Sequence, residues 1–183
     1  MKKPQSAVIS IITVICGFYL WELLDSGIIG TFALYRWDYF AQTHEYYRLF
    51  TVALVHDNSS SLPFHLAFNM MALHQLGTPI EYLFGKAKFL AIFFFSLLTG
   101  SIASSLFLGW SGYTIGASGA VFGLFGALIV AGKYIGTDAK GIYAIVAINF
   151  ALGFTIGGVD WRAHLGGLIG GAVITKALLL RKS

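Results

Sequence analysis

Apolar residues run along this chain in six long stretches, over about 7–24, 63–83, 89–110, 116–135, 141–158 and 163–180. About 20 apolar residues cross a bilayer core as a helix, so the pattern predicts an all-α integral membrane protein with six transmembrane helices. The second stretch is the least apolar and carries His65, Asn69, His74 and Gln75. Between the first two lies 25–62, with the run "RWDYFAQTHEYYRLF". It is too polar to span and too aromatic for a free linker, and is expected to pack as a long loop at the membrane interface.

Composition sharpens this picture. Of 183 residues, 57% are hydrophobic and 11% charged, with a mean hydropathy of +0.76. Soluble domains carry about 25% charged residues, so this chain has too little polar surface to cover itself in water. The length fits one domain, 1–183. A net charge of +4 is spread along the chain rather than clustered, which gives no nucleic-acid footprint. A single cysteine, Cys16, permits no internal disulfide. The opening "MKKPQSAVISIITVICGFYLW" imitates a secretory leader. Trp21 and Glu22 stand where small residues would mark cleavage, and the stretch reads as a retained first span.

Lysine and arginine placement sets the orientation. An even number of spans puts both termini on one side, with Lys2, Lys3, Lys86, Lys88, Lys133, Lys140, Lys176, Arg181 and Lys182. Arg36, Arg48 and Arg162 fall on the other. Both termini are therefore expected in the cytoplasm, with the bacterial inner membrane as the location. Spans 2, 4 and 6 then all start on the outer side. Their starts read "PFHLAFN", "GASGAVFG" and "RAHLGG", so His65, Asn69, Ser118 and His164 share one depth.

Polar side chains inside spans cost free energy and mark sites or buried hydrogen bonds. Serine becomes a nucleophile when a neighbouring base takes its proton, and histidine does so near neutral pH. No intramembrane carboxylate accompanies Ser118 and His164 on these helix starts, so they read as a Ser–His dyad without the third member of a triad. Gly167 and Gly171 share a face with His164, and Gly119, Gly123 and Gly126 form a stripe on span 4. Small residues allow close helix crossing in lipid. Together with Gly116, these glycines would support the pairing, and Phe122, one turn along from Ser118, would stack on the imidazole. The free N–H groups at the start of span 4 favour a developing oxyanion. Asn69 and His65, spaced i and i+4 on one face, join the Ser118 N–H as its donors.

Each residue alone has a plainer reading: Ser118 as a helix cap, His164 and Asn69 as links between helices. "GASGA" lacks the last glycine of a GxSxG elbow, which rules out an α/β-hydrolase. His56 is read as bonding the interfacial segment to the site region, His44 as exposed, His74 as pairing with another helix, and Asn149 as a buried hydrogen-bonder. No HxxxH or HxH spacing occurs, so no metal is expected, and no organic cofactor is required.

Taken in order, "YRLFTVALVH", "HLAFNM", "GTPIEYLFG", "GASGAVFGLFGA" and "AHLGGLIGG" resemble the rhomboid family of intramembrane serine proteases over nearly the whole chain. The resemblance implies a six-helix core, with Ser118 as nucleophile, His164 as general base, and His65 and Asn69 assisting the oxyanion. It also implies structural roles for Arg48 and Glu81, and lateral access for substrate beside span 5, with Phe150, Phe154 and Trp161 as candidate gate residues. Tyr47 stands where the family often has Trp, Phe122 where it often has Tyr, and Arg162 where a small residue is usual. The segment "HDNSSSLPFH" is longer than in many relatives.

The function expected is hydrolysis of peptide bonds in transmembrane segments of other membrane proteins, within the lipid bilayer and on the outer side. The alternatives are a non-catalytic membrane-protein binder or chaperone on the same scaffold, and a small transporter. The first would be favoured by loss of the serine or histidine. The second needs polar residues continuing across the membrane, whereas span 4 beyond Ser118 carries no ionisable group through "GAVFGLFGALIVAG".

Overall fold

In the computed structural model, residues 6–25, 27–59, 63–107, 112–135, 139–155 and 159–180 are described; the side chains of 133–135, 139 and 152–155 stand outside that description. The described chain folds as helices α1 (Ala7–Leu24), α2 (Gly27–Phe32), α3 (Trp37–Thr43), α4 (Arg48–Thr51), α5 (Phe64–Phe84), α6 (Lys86–Phe107), α7 (Ser118–Ile135), α8 (Ala139–Thr155) and α9 (Trp161–Leu180), with one 3-10 turn at Val52–Leu54. Among the described residues, α1, α6 and α9 are long and apolar enough to cross a membrane by length and composition, and Ser118–Gly132 and Lys140–Ala151 are shorter apolar helical stretches. Leu20, Leu24, Phe68, Phe107 and Leu180 lie more than half exposed, as suits a surface that faces lipid rather than water.

The segment between α1 and α5 is more ordered than its composition announces. It forms three short helices, and Arg48 organises them. The residue is 4% exposed; its guanidinium donates from Nε to Glu45 (2.8 Å) and from one terminal nitrogen to the carbonyls of Gly30 and Ala33 at 2.9 and 2.8 Å. Tyr35 and Tyr47 lie against its faces at 5.0 and 5.4 Å. Five fixed donors and a flat cation are what this nest of carbonyls and rings requires. The Glu45 carboxyl is held below its usual range by the Arg48 hydrogen bond.

Glu81, near the end of α5, accepts from Ser6 Oγ (2.6 Å), Ala7 N (2.8 Å) and Val8 N (3.1 Å). It thereby satisfies N–H groups that the start of α1 leaves unpaired, at the positive end of the helix dipole. Gly85 ends α5 at φ +81, a left-handed angle that suits glycine, and α6 starts at the next residue. This turn places the start of the third expected span at Lys86. Its expected end, 108–110, lies outside the described residues, as does 156–158 of the fifth.

A glycine seam joins α6, α7 and α9. A Cβ on Gly167 would overlap the carbonyl oxygen of Gly119, and one on Gly171 that of Gly123. A Cβ on Gly126 would overlap the Leu168 carbonyl. Position 119 thus meets 167, 123 meets 171, and the numbers rise together, so α7 and α9 run parallel. Against them α6 runs the opposite way, with Ser96 on Gly123 and Gly100 on Gly119 and Ala163. Backbones this close leave no room for side chains, the packing that small residues permit where no hydrophobic force drives helices together.

Candidate active site

Parallel running brings the starts of α7 and α9 to one end of the bundle, and α5 starts there too. The ring of His65, in the first turn of α5, packs on Gly116, where a Cβ would sit 2.8 Å from Cε1 and 2.9 Å from Nε2. Gly116 has φ +107 and is doubly confined, by backbone angle and by this imidazole. Its N–H donates to the Val52 carbonyl (2.9 Å), while Leu34 and Thr114 exchange backbone hydrogen bonds at 3.0 and 2.8 Å. The loop leading to Ser118 is therefore pinned to the interfacial segment on two sides.

Ser118 is the first residue of α7, half-buried, and lines a small cavity with Ser101, Thr114, Gly116, Gly119 and Ala163. Its volume of about 10 Å³ is about what one water needs. His164 is buried, and its ring lies flat on Phe122 with centroids 4.0 Å apart and planes 8° from parallel. Phe150 of α8 meets both rings edge-on, at 5.5 Å from Phe122 and 6.5 Å from His164. Trp161 opens α9 and stacks with the Arg162 guanidinium at 5.1 Å. The side chain of Phe154 lies outside the described residues.

Asn69 is buried; its Nδ2 donates to the His65 carbonyl at 2.9 Å, and its Oδ1 has no partner among the described residues. An amide nitrogen carries two hydrogens, and this bond uses one of them. His56 is fully buried; its Nε2 accepts from the Ala117 N–H at 3.5 Å, and its ring lies 5.1 Å from that of His65. Burial pushes the His56 imidazole down to about 3, which keeps it neutral. Of the remaining polar residues, Asn149 donates from Nδ2 to the Ile145 carbonyl of its own helix at 2.9 Å.

Two acidic residues join the constellation that sequence reasoning passed over. Asp160 precedes α9: its Oδ1 accepts from Arg162 N and Ala163 N, its Oδ2 from Ser104 Oγ, and its carbonyl from His164 N. A carboxylate does therefore stand near His164. It is committed to capping the helix and to α6. An Asp just ahead of "WRAH" was a readable N-cap signal. Glu22 of α1 is 2% exposed, and its carboxylate accepts from the His56 N–H at 3.2 and 3.3 Å. A lone carboxylate in an apolar span was the signal there.

Comparison with known proteins agrees with this architecture. The chain is 38% identical over 144 residues to Rhomboid protease GluP of Bacillus subtilis (strain 168), covering 76% of this chain and 27% of that protein. It is 36% identical over 147 residues to RHOMBOID-like protein 1 of Arabidopsis thaliana, covering 75% of this chain and 36% of the relative. With RHOMBOID-like protein 2 of the same plant it shares 36% identity over 166 residues, 86% of this chain and half of that one. The chain thus spans half or less of the length of these three relatives. It is an integral membrane protein. A match to the Rhomboid domain over residues 43–181, running from just before Arg48 to the far end of α9 and taking in Ser118 and His164, makes this chain a member of the rhomboid family.

Proposed function

We propose that this protein is an intramembrane serine endopeptidase that cuts transmembrane segments of other membrane proteins. The observation that carries the reading is the parallel glycine seam, which sets the start of α7, with Ser118, beside the turn of α9 that bears His164. In this reading Ser118 Oγ attacks the scissile carbonyl and His164 takes its proton, later returning it to the leaving amine. The new oxyanion is met by the Ser118 N–H at the positive end of α7, by Asn69 Nδ2 and by His65. Each such donor is worth about 3–4 kcal/mol where it has been measured. Phe122 holds the imidazole by its face, in the place of an orienting carboxylate.

The six spans are α1, α5, α6, α7, α8 and α9, forming a single domain, with both termini in the cytoplasm of a bacterium and the site opening outward. Substrate backbone in lipid is fully hydrogen-bonded to itself, so a segment must unwind to reach Ser118. Helix-weakening Gly or Pro near the cut favours that step. Phe150, which touches both Phe122 and His164, and Trp161 border the approach from α8, and Phe154 belongs to the same stretch. Arg48 and Glu81 keep the interfacial segment and α1 in place, and His56 ties that segment to the residue before the nucleophile.

The test is cleavage of a single-span substrate by purified protein in detergent, beside Ser118→Ala and His164→Ala. Wild type cleaves and both variants do not. Equal cleavage by all three would sink the reading, and fluorophosphonate labelling of Ser118 checks its nucleophilicity separately.

A further inference from the structure

Within α1, an apolar helix, Glu22 is buried, a position that costs free energy unless the carboxylate finds donors. Its donor is the peptide N–H of His56, shared between both oxygens at 3.2 and 3.3 Å. The next peptide N–H, that of Asp57, serves a different partner: it donates to Nδ1 of His65 at 3.1 Å. Two successive N–H groups thus bind a span 1 carboxylate and the His65 imidazole.

The second bond fixes chemistry. A backbone N–H can only donate, so Nδ1 of His65 accepts and carries no proton. In a neutral imidazole the one N–H then sits on Nε2. That nitrogen is the one packed on Gly116, two residues ahead of Ser118. His56 is the reverse case: its Nε2 accepts from Ala117 N–H, so its proton lies on Nδ1. The two neighbouring rings carry their protons on different nitrogens.

We infer that Glu22 is a positioning residue: by anchoring the His56–Asp57 peptides it locks His65 as the Nε2–H tautomer, with the N–H presented beside the turn leading to Ser118. The purpose of the lock rests on the peptidase reading, in which His65 must offer a proton and not a lone pair to the oxyanion. The tautomer itself is a property of the resting protein and is measured without substrate.

The experiment is long-range proton–nitrogen correlation NMR on the full chain, labelled with 15N-histidine in detergent micelles, with His65→Gln identifying the His65 ring. The expected spectrum shows a bare, downfield Nδ1 and a protonated Nε2 for His65. A protonated Nδ1, or rapid averaging of both forms, overturns the inference. Glu22→Gln keeps an acceptor for the His56 N–H and should keep the pattern. Glu22→Leu should mix the tautomers and lower kcat on the order of tenfold at unchanged KM, less than the 10²–10³ that follows outright loss of a donor. An unmixed His65 signal in Glu22→Leu would remove Glu22 from the device. If that variant does not fold, Asp57→Pro deletes the donor directly and must mix the tautomers. Inactive wild type with the expected spectrum would strike the peptidase reading alone; the wrong tautomer in an active enzyme would strike this inference alone.

Discussion

Phe122 and His164 lie face to face, centroids 4.0 Å apart and planes within 8° of parallel, on two helices that the glycine seam brings together. The stack holds the imidazole plane while leaving its nitrogens at the ring edge. Replacing Phe122 by Leu removes an aromatic contact worth about 1 kcal/mol, so kcat should fall roughly fivefold with KM little changed. Phe122→Tyr should stay near wild type. Steady-state kinetics on a single-span substrate decide it; a Leu variant with wild-type kcat would deny the ring its orienting part.

The seam itself makes a stability prediction. Gly171→Ala drives a methyl into the Gly123 carbonyl, an overpacked backbone contact costing on the order of 3 kcal/mol. Gly17→Ala on α1 meets nothing within 4 Å and gains helix propensity of roughly 1 kcal/mol. Thermal unfolding in detergent should separate the two by several degrees, Gly171→Ala below wild type and Gly17→Ala at or above it. The reverse order contradicts the parallel register.

Glu81→Ala deprives Ser6, Ala7 and Val8 of their shared acceptor and should cost about 2 kcal/mol of stability. Glu81→Gln retains an acceptor oxygen and loses the charge at the helix start, about 1 kcal/mol. Activity below the melting temperature should persist in both. An alanine variant as stable as wild type would mean that the cap contributes nothing.

Acid should destabilise the fold through His56. Its imidazole is depressed from 6.5 to about 3 by burial, so between those values the unfolded chain binds the proton and the folded one does not. Stability therefore falls as pH drops below about 6.5, with a slope approaching about 1.4 kcal/mol per pH unit. Unfolding free energies from pH 7 to pH 4 for wild type and His56→Asn should show the variant's slope reduced. Parallel slopes would refute the assignment.

Much of the site was legible because helix-start residues and small-residue spacing are local signals. "GASGAVFG" announces a capped start and a close-packing face in eight residues, and "AHLGGLIGG" repeats the message on α9. What escaped was set by tertiary partners. Asp160 is one acidic residue after a glycine-rich stretch, and its task emerges only when Ser104 arrives from α6. Glu22 entered only as a residue that does not fit a leader's cleavage site, because its partner His56 lies 34 positions away in sequence. The short helices around Arg48 were hidden for a related reason: each is too brief to show a periodicity, and one cation collecting distant carbonyls holds them.

A contact surface made of backbone has no rotamers to redistribute. Where α7 meets α9, carbonyl oxygens rest on bare Cα atoms, so the spacing between the two chemical groups is set by main-chain geometry. Substitutions on the lipid-facing sides of these helices can change volume and shape without being felt at Ser118, which leaves the outer surface open to adaptation to different membranes while the interior stays fixed.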